Sequence, residues 1–314
     1  MMLTKKTRAG PNGRKVIIIP LAPRALLRSS AVTIRLGPPA NTPAAPVNER
    51  ITTTVHIEPG DLVRFYTAAE THQGTRDYQQ DALYVSGSVI VREGEPSKVY
   101  GILCDGMGGM LGGGEASNFV VGEMRKALES MSEGQNIAAF FVEKIRGLDA
   151  TLSERYGDGG TGTTMVAVAA IENKLYWSSV GDSRVYLIRA DEIVQVTRDH
   201  NYYMQLLEDV EKGKLTLQEA ENDPKREALI SFIGSGNADI IDANTEPFQL
   251  IHGDVILLCS DGLTKSLTDE EIRRYISGNT DDIGEAARVL INTAIDIDMN
   301  AKDNTSVILI KYNE

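Results

Sequence analysis

The 314-residue chain has little of what disulfide scaffolds, zinc sites or membrane spans are built from: two cysteines, four histidines, one tryptophan and 6% aromatic residues. Cys104 and Cys259 cannot make a disulfide framework, and both fall in apolar, strand-like runs, which points to a reducing cytoplasmic setting. No apolar stretch approaches the roughly 20 residues of a membrane-spanning helix. The nearest, from Val16, is broken by Pro20, so a transmembrane transporter is excluded. Also absent are a Gly-x-Ser-x-Gly elbow, a Walker phosphate loop, a Cys-x₅-Arg phosphatase loop and a His-Glu-x-x-His zinc helix.

What is present is ordinary globular material, 42% hydrophobic and 24% charged, enough for a substantial core. The net charge of −12 is polarised. Residues 1–50 hold nine basic residues and one acidic one, a net +8, and the remaining 264 residues carry −20. So negative a body argues against nucleic-acid binding, which needs many Lys/Arg contacts to phosphate. Seven prolines punctuate residues 1–50. The segment is expected to be a basic, disordered N-terminal arm ahead of a single folded domain at 51–314. A tether to an acidic partner or membrane surface, an organelle-type transit segment and a plain solvated tail remain open as its role.

From Val63 onward, short aliphatic runs alternate with longer helical patterns, and no internal repeat is present. Strands are predicted at 98–104, 163–171, 174–180, 184–188, 193–196, 254–259 and 306–310, with a hairpin turn at Glu172 and Asn173. Helices are predicted at 115–130, from Ala116, Val120, Met124, Ala127 and Met131, and at 137–155, 203–211, 217–220, 224–233, 269–276 and 283–299. Strands joined by close turns, interleaved with long helices, predict an α+β layered sandwich.

Four aspartates stand at strand ends or in turns rather than on helix faces: Asp81, Asp105, Asp261 and Asp303. Asp105 opens Asp105-Gly106-Met107-Gly108-Gly109, and Asp261 repeats the device in Ser260-Asp261-Gly262-Leu263. Carboxylates brought to one point repel by roughly 4 kcal/mol per close pair at an effective dielectric of about 20, so a cluster requires cations. Hard oxygen donors without ligand-spaced histidines or cysteines select Mg²⁺ or Mn²⁺ over zinc. Two such ions form a hydrolytic arrangement that activates water toward phosphorus.

Six segments, in order, resemble the metal-dependent protein phosphatases of type 2C, bacterial serine/threonine branch. They are 74–82 (Gly-Thr-Arg-Asp-Tyr-Gln-Gln-Asp-Ala), 105–109, Gly162-Thr163-Thr164, Gly181-Asp182-Ser183-Arg184, 260–263 and Asp303-Asn304. The resemblance covers about residues 61–314 and implies a four-layer α-β-β-α sandwich of two antiparallel sheets flanked by helices. It implies that Asp105 bridges two metals, that the Gly106 carbonyl joins one of them, that Asp261 and Asp303 hold the first and that Asp81 serves the second. Arg76 stands at the family's phosphate-clamping arginine. The implied activity is hydrolysis of phosphoserine and phosphothreonine on phosphorylated proteins, opposed by a serine/threonine kinase, with two Mn²⁺ or Mg²⁺ ions and no covalent intermediate.

Some positions depart from the family's most familiar pattern. Gln80 replaces a glutamate, Met107 stands where a histidine is common, and Asp158 is displaced from the position of a third-metal aspartate. A catalytically weak regulatory module of the same fold and a phosphatase of one narrow substrate are therefore the rival readings. The Gly-Asp-Ser-Arg turn and His200 read as scaffold, and 201–250 resembles the family's flap beside the site. A dinucleotide loop at Gly106–Gly114 is rejected, because Asp105 would face the pyrophosphate.

Overall fold

The computed structural model describes residues 62–92, 94–108, 112–132, 134–157, 160–297 and 303–314, together with the backbone of two short strands, β1 (Lys6–Ala9) and β2 (Lys15–Ile18). These two pair antiparallel, where the composition of the expected arm suggests no strand. The rest of the arm lies outside the described residues.

The chain continues with β3 (Val63–His72), β4 (Asp81–Val85), β5 (Val89–Ile90), β6 (Lys98–Gly108), α1 (Gly112–Glu129) and α2 (Ile137–Tyr156). There follow β7 (Thr161–Thr163), β8 (Met165–Ile171), β9 (Lys174–Val180), β10 (Arg184–Arg189) and β11 (Glu192–Gln195). The segment 201–250 contributes α3 (Tyr202–Glu211), α4 (Leu217–Glu221), β12 (Asp242–Ala243) and β13 (Phe248–Gln249). The chain closes with β14 (Val255–Cys259), α5 (Asp261–Ser266), α6 (Asp269–Ser277), α7 (Ile283–Ile297) and β15 (Thr305–Tyr312).

Two antiparallel sheets result. One runs β11-β10-β14-β15-β3-β5, and the other β12-β9-β8-β6-β4, with β13 beside β9 and β7 beside β6. Their central strands are buried on both faces, which is why they read as continuous apolar runs, and the two-residue period still sorts each side chain. On β6, Val99 and Leu103 enter the core between the sheets while Ile102 and Cys104 face the helices. On β15, Ile308 and Ile310 point inward and Val307 and Leu309 point outward.

The outer face of the first sheet is covered by α5, α6 and α7 through Leu263, Ile272, Leu290 and Ile291. The second is covered by α1 and α2 through Val120, Met124, Phe141 and Ile145. Each fully buried aliphatic contributes about 1.5–3 kcal/mol. The architecture is thus the expected α-β-β-α sandwich. On α1 the buried stripe is Ala116, Val120, Met124 and Leu128, so Leu128 takes the place predicted for Ala127.

The β8–β9 hairpin turns at Glu172 and Asn173 as predicted, with Glu172 in the left-handed region at φ 51°. Two bonds to one neighbour hold it there: its amide donates to the Ser97 carbonyl at 2.8 Å and its Oε1 accepts from the Ser97 amide at 2.7 Å. The helix predicted at 224–233 does not form. Residues 224–227 turn, and the remainder runs extended in isolated bridges, Leu229 to Asn201 and Ile233 to Thr163. The backbone bonds of this stretch go to other elements, including Ile230 N to the His200 carbonyl at 2.9 Å, which outweighs its local helix propensity. Strands β3 and β4 were not predicted. The Ala-Ala-Glu stretch of β3 carries no strand signature of its own, and its extension is imposed by an eight-residue ladder with β15.

Candidate active site

The ends of both sheets meet where the four predicted aspartates lie. On the second sheet, Asp81 is the first residue of β4 and stands directly opposite Asp105 of β6. On the first sheet, Asp261 follows β14 by two residues and Asp303 precedes β15 by two, and the β14–β15 ladder brings those two ends together. A serine hydroxyl links the two sheets here. Ser260 Oγ donates to Asp81 Oδ2 at 2.8 Å and accepts from the Ser306 amide at 3.0 Å.

Two glycines permit this approach. A Cβ on Gly262 would collide with the Asn304 carbonyl, and a Cβ on Gly106 with the Gly113 and Gln80 carbonyls. The Gln80 carbonyl accepts from Gly106 N at 3.1 Å and from Ser117 Oγ at 2.6 Å, and its side-chain amide points at the Gly108 carbonyl at 3.3 Å. Gly109 and Asp158 lie outside the described residues, so the third-metal position has no structural account.

The electrostatics are those of an acidic cluster. Burial, then repulsion from Asp81, Asp261, Asp182 and Asp303, holds the Asp105 carboxyl well above the usual carboxylate range. Burial raises Asp81 to about 7, against the opposing hydrogen bonds of Ser306 and Ser260. Asp182 is likewise raised to about 7, by burial and then by Asp261. Burial raises Asp261 too, although Lys265 opposes the shift. Asp81 Oδ1 and Asp261 Oδ1 are buried without a hydrogen-bond partner. Like charges and unpartnered anionic oxygens at one point fit divalent cations as the missing counter-charge.

Among the described residues, no three acidic, histidine or cysteine groups stand together closely enough to hold one ion as they are. Asp261 and Asp303 are instead turned to cations of the chain. Asp261 Oδ2 meets Lys265 Nζ at 2.5 Å, and Asp303 Oδ2 meets both the Arg76 guanidinium at 2.8 Å and Lys265 at 3.4 Å.

Arg76 is exposed, on a loop that Asn304 fastens down. The Asn304 amide donates to the Gln73 and Tyr78 carbonyls at 2.8 and 3.2 Å, and its Oδ1 accepts from Gln80 N at 2.7 Å. Asn304 was legible only as the neighbour of Asp303. Thr163 and Thr164 secure Asp105 in the same manner: Thr163 Oγ1 donates to its carbonyl at 2.8 Å and Thr164 Oγ1 accepts from its amide at 3.0 Å. Thr164 in turn bonds Ser183 at 2.7 Å.

The Gly-Asp-Ser-Arg turn is scaffold at its arginine, since Arg184 grips Asp199 through Nε and the terminal nitrogen at 2.9 and 2.7 Å. Asp182 differs, because its carboxylate shares the field of the cluster. His200 is buried scaffold, accepting the Gly181 amide on Nδ1 at 3.1 Å. Cys104 and Cys259 are free and buried, and burial raises both thiols, so neither is poised as a ligand or nucleophile.

Comparison with known proteins gives the family to which the chain belongs. Residues 67–205 match the family model of protein phosphatase 2C. Protein phosphatase PhpP of Streptococcus pneumoniae is 33% identical over 218 residues, 68% of this chain and 85% of the relative. The chain belongs to the protein phosphatase 2C family, a family of enzymes. Among solved structures, the Streptococcus agalactiae serine/threonine phosphatase superposes with a TM-score of 0.66 at 27% identity, covering 80% of this chain and all of that one. The catalytic domain of the phosphatase PstP, solved with two manganese ions, gives 0.61 at 27% identity, covering 81% of this chain and all of that one.

Proposed function

We propose that this chain hydrolyses phosphoserine and phosphothreonine on phosphorylated proteins, using two divalent ions and no covalent intermediate. The observation that carries the reading is the meeting of Asp81, Asp105, Asp261 and Asp303 at the ends of two sheets, with buried unpartnered carboxylate oxygens and an exposed arginine at the rim. Asp105 would bridge the ions, the Gly106 carbonyl would join it, Asp261 and Asp303 would hold one ion, and Asp81 would serve the other. When bound, the two ions supply activation of water and charge neutralisation at phosphorus. The hard donor set admits Mn²⁺ and Mg²⁺ alike.

The chain's own residues do the positioning. Ser260 fixes one oxygen of Asp81 and leaves the other free to bind. The two threonines hold the Asp105 backbone, and Asn304 holds the loop that presents Arg76. Arg76 would grip the phosphate dianion by charge-assisted hydrogen bonds. A serine/threonine kinase is the class of enzyme that supplies such substrates. Among the described residues no helix is long and apolar enough to cross a membrane.

The test is hydrolysis of a phosphothreonine peptide by the full chain with Mn²⁺, with Mg²⁺ and with chelator, beside an Asp261→Asn control. Turnover that requires metal and disappears in the control is expected. A wild-type chain that binds two ions and hydrolyses nothing would favour the regulatory-module reading instead. Arg76→Ala is expected to raise KM about tenfold or more with a smaller change in kcat, since it removes binding to the phosphate in ground and transition states alike. A fall in kcat alone would remove Arg76 from the clamp.

A further inference from the structure

We infer that Lys265 is a tethered cation that competes with divalent metal for Asp261 and Asp303, and so sets the affinity of that site. The inference rests on the proposed reading of the two aspartates as ligands of one ion, and it concerns a residue to which that reading gives no part.

The geometry comes from helix α5. Asp261 is its first residue and Lys265 lies four further on, so one turn puts both side chains on the same face. A surface pair at this spacing ordinarily joins two side chains of one helix. Here Nζ reaches Asp261 Oδ2 at 2.5 Å and also Asp303 Oδ2 at 3.4 Å, which belongs to the segment entering β15. The ammonium thus spans the same two carboxylates, from two separate chain segments, that would hold the ion. The lysine side chain is 48% exposed, and those of Asp261 and Asp303 are 18% and 23% exposed. The cation therefore has a ready path to water, whereas the two anions do not.

The arrangement leaves the site incompletely satisfied, as a competitor would and a permanent partner would not. Asp261 Oδ1 is buried without a partner although Oδ2 is paired. A single ammonium supplies one charge and three donors against the two carboxylates that it contacts. A divalent ion brings twice the charge and accepts more oxygens, so it displaces Lys265, but only after breaking both contacts. Arg76 shares Asp303 Oδ2, and among the described residues only Lys265 forms an ion pair with both aspartates.

The experiment is calorimetric titration of the full chain with Mn²⁺, comparing wild type with Lys265→Gln, Lys265→Arg and Lys126→Gln. The last removes a positive charge from the exposed face of α1 and controls for net charge. Lys265→Gln is expected to lower the Kd for one Mn²⁺ about tenfold, the scale of removing one close opposing charge. Lys265→Arg should stay near wild type, and Lys126→Gln should not move. Equal affinity in wild type and Lys265→Gln, or weaker binding in Lys265→Gln, overturns the inference. Mn²⁺ binding by none of the proteins would instead overturn the metal reading beneath it. Thermal melting of each variant in chelator establishes that it is folded, and Lys265→Met, which keeps the aliphatic stem without the charge, carries the same expected tenfold fall in Kd if the glutamine protein is not.

Discussion

Asp105→Asn is expected to lower phosphopeptide turnover by about a thousandfold or more, since it removes the carboxylate that would be shared between two ions, worth several kcal/mol of transition-state stabilisation. The same substitution should leave the chain more stable in chelator. At neutral pH the native Asp105 carboxyl sits among Asp81, Asp261, Asp182 and Asp303, and burial with this repulsion raises it well above its unfolded value. A carboxyl raised on folding favours the native state below its unfolded value of about 3.9 and opposes it progressively as pH climbs toward the raised value. Asparagine has no charge to bury. In chelator at pH 7, Asp105→Asn should therefore melt higher than wild type, and wild type should lose more stability than the variant as pH rises from 4. Full turnover with two ions bound, or a variant that melts lower in chelator, would contradict the bridging role and the like-charge cluster respectively.

Asp149→Ala should destabilise the fold by about 2–3 kcal/mol, because it strands two buried amides and a third nearer the surface, the buried ones at a cost of roughly 1 kcal/mol or more each. Asp149 lies on α2 and is 6% exposed. Its Oδ1 accepts from the amides of Gly234 and Gly236 at 2.8 and 3.1 Å, and Oδ2 accepts from Ala238 at 3.0 Å. This loop continues directly from Ile233, which exchanges two 2.9 Å backbone bonds with Thr163, the residue that holds the Asp105 carbonyl. The loss should therefore reach the active site as well as the melting curve. Asp149→Asn should fall between wild type and alanine, since it keeps an oxygen toward Gly234 and Gly236 but sets an amide donor against Ala238. Chemical denaturation with a kcat measurement on each folded variant checks the order, and a silent alanine variant would show that water replaces the carboxylate.

The sequence was most informative where a residue's own chemistry constrained it. The β8–β9 hairpin was placed to the residue in β9, because apolar strands bounded by a polar two-residue turn leave one register. The four site aspartates stood out because a carboxylate at a strand end or in a turn, rather than on a helix face, has no solvated face to explain it. Strand β3 was silent, since Ala-Ala-Glu is as good in a helix and only the partner strand β15 makes it extended. The false helix at 224–233 failed for the same reason in reverse, its backbone groups being claimed by His200 and Thr163.

The residues that finish the site were legible only as neighbours. Ser260 and Asn304 appear beside Asp261 and Asp303 in short polar runs, and nothing in one dimension says that their side chains reach Asp81 and the Arg76 loop. Asp149 and Lys265 carry no motif at all. By itself, the sequence determined composition, periodicity and the types of ligand that strand ends can offer, because these depend on each residue and its near neighbours. Tertiary structure alone decided that Asp81 faces Asp105, that one serine joins two sheets, and that a lysine spans the carboxylates read as metal ligands, because contacts across hundreds of residues are set by sheet register and packing.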